Sequence, residues 1–369
     1  MKTINLTILC ALLVTLPLSA QLDLKKMKDK AKSTVQEEAQ PSTTEKGSSG
    51  SVWEIKKVDM EKLEEKPAGA IKDVSKFYGA GYEMMKNTIG LVLSSPDGVN
   101  WKEEFKSQSI AITDVAYGEG KIVAVGGTTV FFTTDGETWK SVEGTTNGVL
   151  NGAYNSVAYG AGMFVACGTT ATLSFSKDGE TWVKYFGEEL DPEYDAGVTH
   201  FYGVSFANGK FYVVGNSQRI ISLIPDPKDG LKKEKCTVLG QVTNRFDDLA
   251  YGNNTYVVVG AKEDYISTDG LNWEVTNPEW QNWGICYANG LFVKACGFSR
   301  VFTSPDGSDN SWKEAYKSSR VMFWDAAYGN NMWLVTGKDG AMLTSNDGEN
   351  FEYHEIKPRY TIKKVIFIE

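Results

Sequence analysis

Histidine is almost missing from this chain: His200 and His354 are the whole supply. No Ser-His or Cys-His constellation can be built from them, and no His/Cys spacing suits zinc, so imidazole catalysis and zinc chemistry are set aside. Arginine is scarce too, with Arg219, Arg245, Arg300, Arg320 and Arg359 and none earlier. Of five cysteines, Cys10 lies in the first apolar stretch, and Cys167, Cys286 and Cys296 sit in the runs FVACG, GICYANG and FVKACG. These read as buried thiols, and with Cys236 they give no disulfide framework. Positive charge is in deficit, 38 Lys and Arg against 47 Asp and Glu. That balance excludes a nucleic-acid or anionic-membrane surface, which needs clustered cations. Beyond the first twenty residues no apolar run approaches membrane-spanning length.

What is present begins with an export leader over residues 1–20. Lys2 opens it, an apolar stretch runs from Ile4 to Leu18, and Leu18-Ser19-Ala20 offers a small-residue junction before Gln21. Cleavage is expected after Ala20, which implies a secreted or periplasmic protein. Residues 21–50 pass from a Lys-rich stretch to a polar run and read as a flexible tail.

Residues 51–369 are expected to form the folded domain, weakly patterned up to residue 72 and repetitive afterwards. A turn signature recurs as SSPDGVNW, TTDGETW, SKDGETW, STDGLNW, SPDGSDNSW and SNDGENF, with a degenerate copy PKDGLKK. Its aspartates are Asp97, Asp135, Asp178, Asp229, Asp269, Asp306 and Asp347, about 40 residues apart, the span of a four-stranded blade. Ahead of each turn stands an aromatic-Gly hairpin such as VAYGEGKIVAVGG or AAYGNNMWLVTGK, with KFYGAGYEMMKN as a weaker copy at Lys76. Hairpin and turn together supply strands A and B, then C and D. Seven such units predict an all-β, seven-bladed propeller of four-stranded antiparallel blades. A ring needs closing, because an open array leaves edges exposed. The strand-like segment TIKKVIFIE, residues 361–369, is expected to pair into the first blade, with Ser51–Val58 as the alternative latch.

The repeated S-x-D-G-x-x-W with its preceding strand resembles the Asp-box, or bacterial neuraminidase repeat, over residues 76–356. The resemblance implies that each aspartate accepts backbone N–H bonds across the C–D turn, that glycine takes a positive φ, and that the aromatic residue packs beneath. Seven equivalent aspartates spread round a rim cannot converge on one substrate, so they are structural. Sialidases of this fold use an arginine triad, the first arginine in an early Arg-Ile-Pro motif, which this chain lacks. Lysine does not replace the planar guanidinium fork, so sialidase activity is not expected. The repeats are also similar, more distantly, to the propeller of photosystem II assembly factors, which implies scaffold or chaperone-like roles.

Two places remain for function. Asp114, Asp248 and Asp325, with Asp247 adjacent, recur at the start of strand A and face the channel, as a glycoside hydrolase or lyase would require. Other blades carry Ser75, Ser156, Gly203 and Gly284 there, which reads instead as a small-or-polar slot bonding neighbouring backbone. The loops entering strand A gather at one mouth and carry Tyr154, Asn155, His200, Tyr202, Arg245, Trp280, Trp283, Arg320 and Trp324, a set suited to binding a peptide or sugar. The acidic run Glu188, Glu189, Asp191, Glu193, Asp195 lacks the glycine and distal glutamate of a calcium loop and reads as a solvated insertion. No cofactor or metal is expected. The leading expectation is a monomeric, non-enzymatic recognition or scaffold module binding a protein or glycan at a broad, aromatic, largely uncharged mouth. The alternative is an enzyme, marked by a deep acid pair with one raised pKa.

Overall fold

The second repeat shows how alternation builds the molecule. Its strand Lys121–Gly126 is buried along its whole length, because both faces meet a neighbouring blade. Ile122 and Ala124 enter the apolar cluster shared with blade 1, while Val123 and Val125 enter the one shared with blade 3. A period of two thus sends successive side chains into successive interfaces. Each fully buried Val or Ile there contributes on the order of 1.5–3 kcal/mol.

The computed structural model describes residues 68–71, 74–84, 88–108, 110–143, 152–185, 199–226, 228, 230–240, 244–276 and 281–369. The leader, the tail, the alternative latch, Asp229, the acidic run 188–195 and Trp280 lie outside them. The described residues form seven four-stranded antiparallel sheets. Their innermost strands, A, are Thr361–Ile368 in blade 1 and Asp114–Gly118, Tyr154–Gly160, Phe201–Ala207, Phe246–Gly252, Asn282–Ala288 and Phe323–Gly329 in blades 2 to 7. Each packs on the next, and that of blade 7 packs on that of blade 1, so the ring is closed. An apolar cluster fills each interface between blades, the last joining Leu334 and Met342 to Phe77, Leu91 and Ile362.

Closure comes from the expected segment: Thr361–Ile368 pairs antiparallel with Lys76–Met84 from Lys76↔Ile368 to Tyr82↔Thr361. One expectation is corrected here. KFYGAGYEMMKN is no A–B hairpin: its Lys76–Met84 is a single strand B, flanked by the closing strand and by Thr88–Ser95. Ser75 therefore does not occupy the strand-A slot of blade 1, and Lys364 does. Ser75 stands outside that strand, with φ of 42°.

The aromatic-Gly pairs have a packing reason. A Cβ on Gly252 would stand 1.9 Å from the ring of Tyr287, and one on Gly118 would stand 2.2 Å from that of Tyr159. The same contact recurs at Gly160 with Phe206 and at Gly329 with Phe367, so in these four interfaces the strand-A aromatic lies on the glycine of the preceding blade, where only hydrogen fits, while blades 4 and 6 carry Ala207 and Ala288 at that position. At the same face, the glycines of all seven C–D turns have φ from 72° to 81°. In the second turn the carboxylate of Asp135 accepts the Glu137 and Thr138 N–H groups at 2.9 and 2.7 Å, which hold its pKa well below the ordinary range. Trp182 packs fully buried beneath its own turn and donates to Gly179 O at 3.0 Å. Among the described residues Cys167, Cys236, Cys286 and Cys296 form no disulfide; Cys167 and Cys296 are buried and Cys236 and Cys286 partly so.

Candidate functional site

The innermost strands share an irregularity near their first residues. Pairing runs from Tyr154↔Gly168 to Ser156↔Cys167, skipping Asn155, and in the same way skips Tyr202, Asp247, Trp283 and Trp324 in the following blades. In blade 1 the register shifts around Lys363. In blade 2 Thr113 donates to Val125 O, although Val125 is already the partner of Asp114. A bulge sets two residues against one and re-aims a side chain. These seven residues, one from each blade, line a single pocket of about 240 Å³ together with Arg245 and Lys364.

The pocket is aromatic and cationic, not largely uncharged. Arg245 lies between two rings, with its guanidinium carbon 4.9 Å from the centre of Tyr202 and 4.7 Å from that of Trp283. Its Nε donates to Asp247 Oδ2 at 3.1 Å. Burial pushes the Asp247 pKa up to about 6 against the pull of Arg245. Trp283 and Trp324 meet at 4.8 Å with planes tilted by 54°. The Lys363 ammonium stands 5.2 Å over Trp324. Burial lowers its pKa, Asp247 opposing, and among the described residues no carboxylate reaches it within ion-pair distance. The indole N–H groups of Trp283 and Trp324 are buried and have no hydrogen-bond partner among the described residues. Such groups cost stability unless water or a ligand answers them.

Below this level runs the ring of slot residues. Asp114 accepts the Val115 and Val157 N–H groups and the Ser156 hydroxyl, at 2.7, 2.9 and 2.6 Å. Ser156 in turn accepts Val204 N–H, Asp248 accepts Ile285 N–H, and Asp325 accepts Val365 N–H at 2.9 Å. Each side chain thus ties its blade to the next. Lys364 closes the set, donating to Asp248 at 2.7 Å and standing 3.5 Å from Asp325. Burial alone would lower the Lys364 pKa, but Asp248, Asp325 and Asp114 outweigh it and hold it above the ordinary value. Burial raises Asp114 to about 6 and Asp325 to about 7, with Lys364 opposing both shifts. One mark of an acid-base pair, a raised pKa, is therefore met. The carboxylates are nonetheless engaged by backbone and lysine, which is what a structural slot predicts.

Of the expected mouth residues, Asn155, Tyr202, Arg245, Trp283 and Trp324 come together, with Asp247 beside them. Tyr154 does not: it is buried in the interface of blades 2 and 3 and donates to Ser174 at 3.0 Å. His200 is turned aside, its Nδ1 accepting Thr170 N–H at 3.0 Å. Arg320 is exposed and outside the pocket. Thr113, Lys363 and Lys364 were missed. The signal was available for Thr113, one residue before the slot residue Asp114, but not for Lys363 and Lys364, whose closing strand lies outside the repeat that the hairpins define.

Fold and pocket together define a closed seven-bladed propeller with one inward residue per blade at its mouth. No protein-family model and no curated protein matches the chain. Among solved structures, YCF48 bound to D1 peptide is similar with a TM-score of 0.50 and 20% identity, covering 66% of this chain and 81% of that one. YCF48 from Cyanidioschyzon merolae gives 0.52 and 15%, covering 68% and 86%. Apo AztD from Citrobacter koseri gives 0.52 and 8%, covering 79% and 97%. At these identities the likeness carries the fold.

Proposed function

We propose that this chain is an exported Asp-box propeller that recognises a partner, a protein in preference to a glycan, at its strand-A mouth. The observation that carries the reading is the pocket built from one bulged residue per blade, with Arg245 clamped between Tyr202 and Trp283. Aromatic anchors beside a guanidinium are the side chains that dominate protein recognition. The leader-like residues 1–20 support export, and the six full turn signatures support the Asp-box assignment. YCF48, of the same fold, has been seen with a peptide, a ligand class that the architecture accommodates.

The test is a screen of the purified full-length protein against peptide and glycan arrays, repeated with Trp283→Ala and Arg245→Ala. Binding that falls tenfold or more in both variants supports the mouth. Full binding by both variants places recognition elsewhere. A second reading, glycoside hydrolase or lyase, is favoured by the raised pKa of Asp325 beside Asp248. Glycan cleavage that Asp248→Asn abolishes would establish it in place of the first.

A further inference from the structure

Charge around the mouth does not cancel residue by residue. Arg245 is answered by Asp247, and Lys364 by Asp248 and Asp325. Lys363, on the neighbouring bulge position of blade 1, lies over the face of Trp324 and feels Asp247 only from beyond ion-pair distance. A ring face holds a cation in place but does not neutralise it. Lys363 is therefore the cation of the mouth with no carboxylate in direct contact among the described residues, and it offers one ammonium to an incoming anion.

The aromatic faces point to the source of that anion. Sugar recognition uses a free ring as a platform, whereas Trp283 is engaged by Arg245 and Trp324, Trp324 by Trp283 and Lys363, and Tyr202 by Arg245. Two exposed apolar side chains adjoin the mouth residues along the chain: Phe298, 58% exposed, follows Gly297, which lies against the Trp283 indole nitrogen, and Met322 stands exposed two residues before Trp324. Apolar side chains flanking an acid suit that rim better than a polyhydroxylated ring does.

Resting on the recognition reading above, we propose that the mouth takes a single carboxylate of a polypeptide partner, paired with the Lys363 ammonium, while Phe298 and Met322 receive its apolar neighbours. The carboxylate belongs to an Asp or Glu side chain or to a chain terminus, two sources of one chemistry.

The probes are apolar-flanked peptides, each made with a free terminus, as the amide, and as the amide with one internal Glu or its Gln counterpart. Binding to the full-length protein is read by calorimetry. Removing the carboxylate is expected to weaken binding about ten- to a hundredfold, the worth of a charge-assisted pair. Lys363→Gln is expected to cost the same factor for carboxylate peptides and nothing for the amides, with Lys363→Arg restoring it. The free-terminus and internal-Glu arms show which source is used. Equal affinity for acid and amide, or an equal effect of Lys363→Gln on both, overturns the inference while Trp283-dependent binding preserves the recognition reading. Binding of a uronate oligosaccharide with no peptide binding overturns it too. Loss of any dependence on Trp283 overturns both.

Discussion

Single atoms decide much of this ring. Gly252 has no room for a Cβ, which would meet the Tyr287 ring at 1.9 Å. Gly252→Ala is expected to cost about 1–3 kcal/mol through overpacking, read as a lower denaturant midpoint; an unchanged midpoint would show that the ring simply moves away. Asp325 makes a second prediction. Its folded pKa, about 7, lies above the ordinary 3.8, so over that window the native state binds more protons than the unfolded one. Stability from this residue is therefore present at low pH and falls as pH rises from about 4 to 7. The melting temperature of the wild type should drop more steeply across that interval than that of Asp325→Asn. Parallel curves would mean that Asp325 stays ionised throughout.

The strand is the scale at which reading and structure part. Turn signatures and aromatic-Gly hairpins count the blades because their residues are tied to local backbone, Gly by its φ and Asp by its neighbours' N–H groups. The mouth is harder to see, because a bulge breaks the period of two. Alternation makes Tyr154 and Asn155 equal candidates, and the bulge alone sends Asn155 to the pocket and leaves Tyr154 in the core. Lys363 and Lys364 were hidden for another reason. Their strand A sits at the far end of the sequence from its blade, and KFYGAGYEMMKN took its place in the repeat. Removing the Lys364 charge should show what that strand holds: Lys364→Met leaves Asp248 and Asp325 facing each other and is expected to cost on the order of 3 kcal/mol. Adding Asp325→Asn should recover part of the loss. No recovery would mean that the lysine stem, and not its charge, carries the effect.

Across the whole molecule, stability rests on a closed circuit of similar interfaces without cross-links among the described cysteines. Truncation before residue 361 should expose the Lys76–Met84 edge and promote self-association, measured by sedimentation. A truncated chain that stays monomeric with an unchanged melting temperature would mean that another segment fastens the ring. Because the closing strand also brings Lys363 and Lys364 to the mouth, binding and closure share one element. Any ligand held by those lysines binds only the shut form, and so stabilises it by mass action, by about 2.7 kcal/mol at a hundred times its dissociation constant. The partner would then act as a clasp, raising the cost of opening the circuit as it occupies the mouth. A molecule of this kind is sturdiest when it is at work and most vulnerable when its mouth is empty.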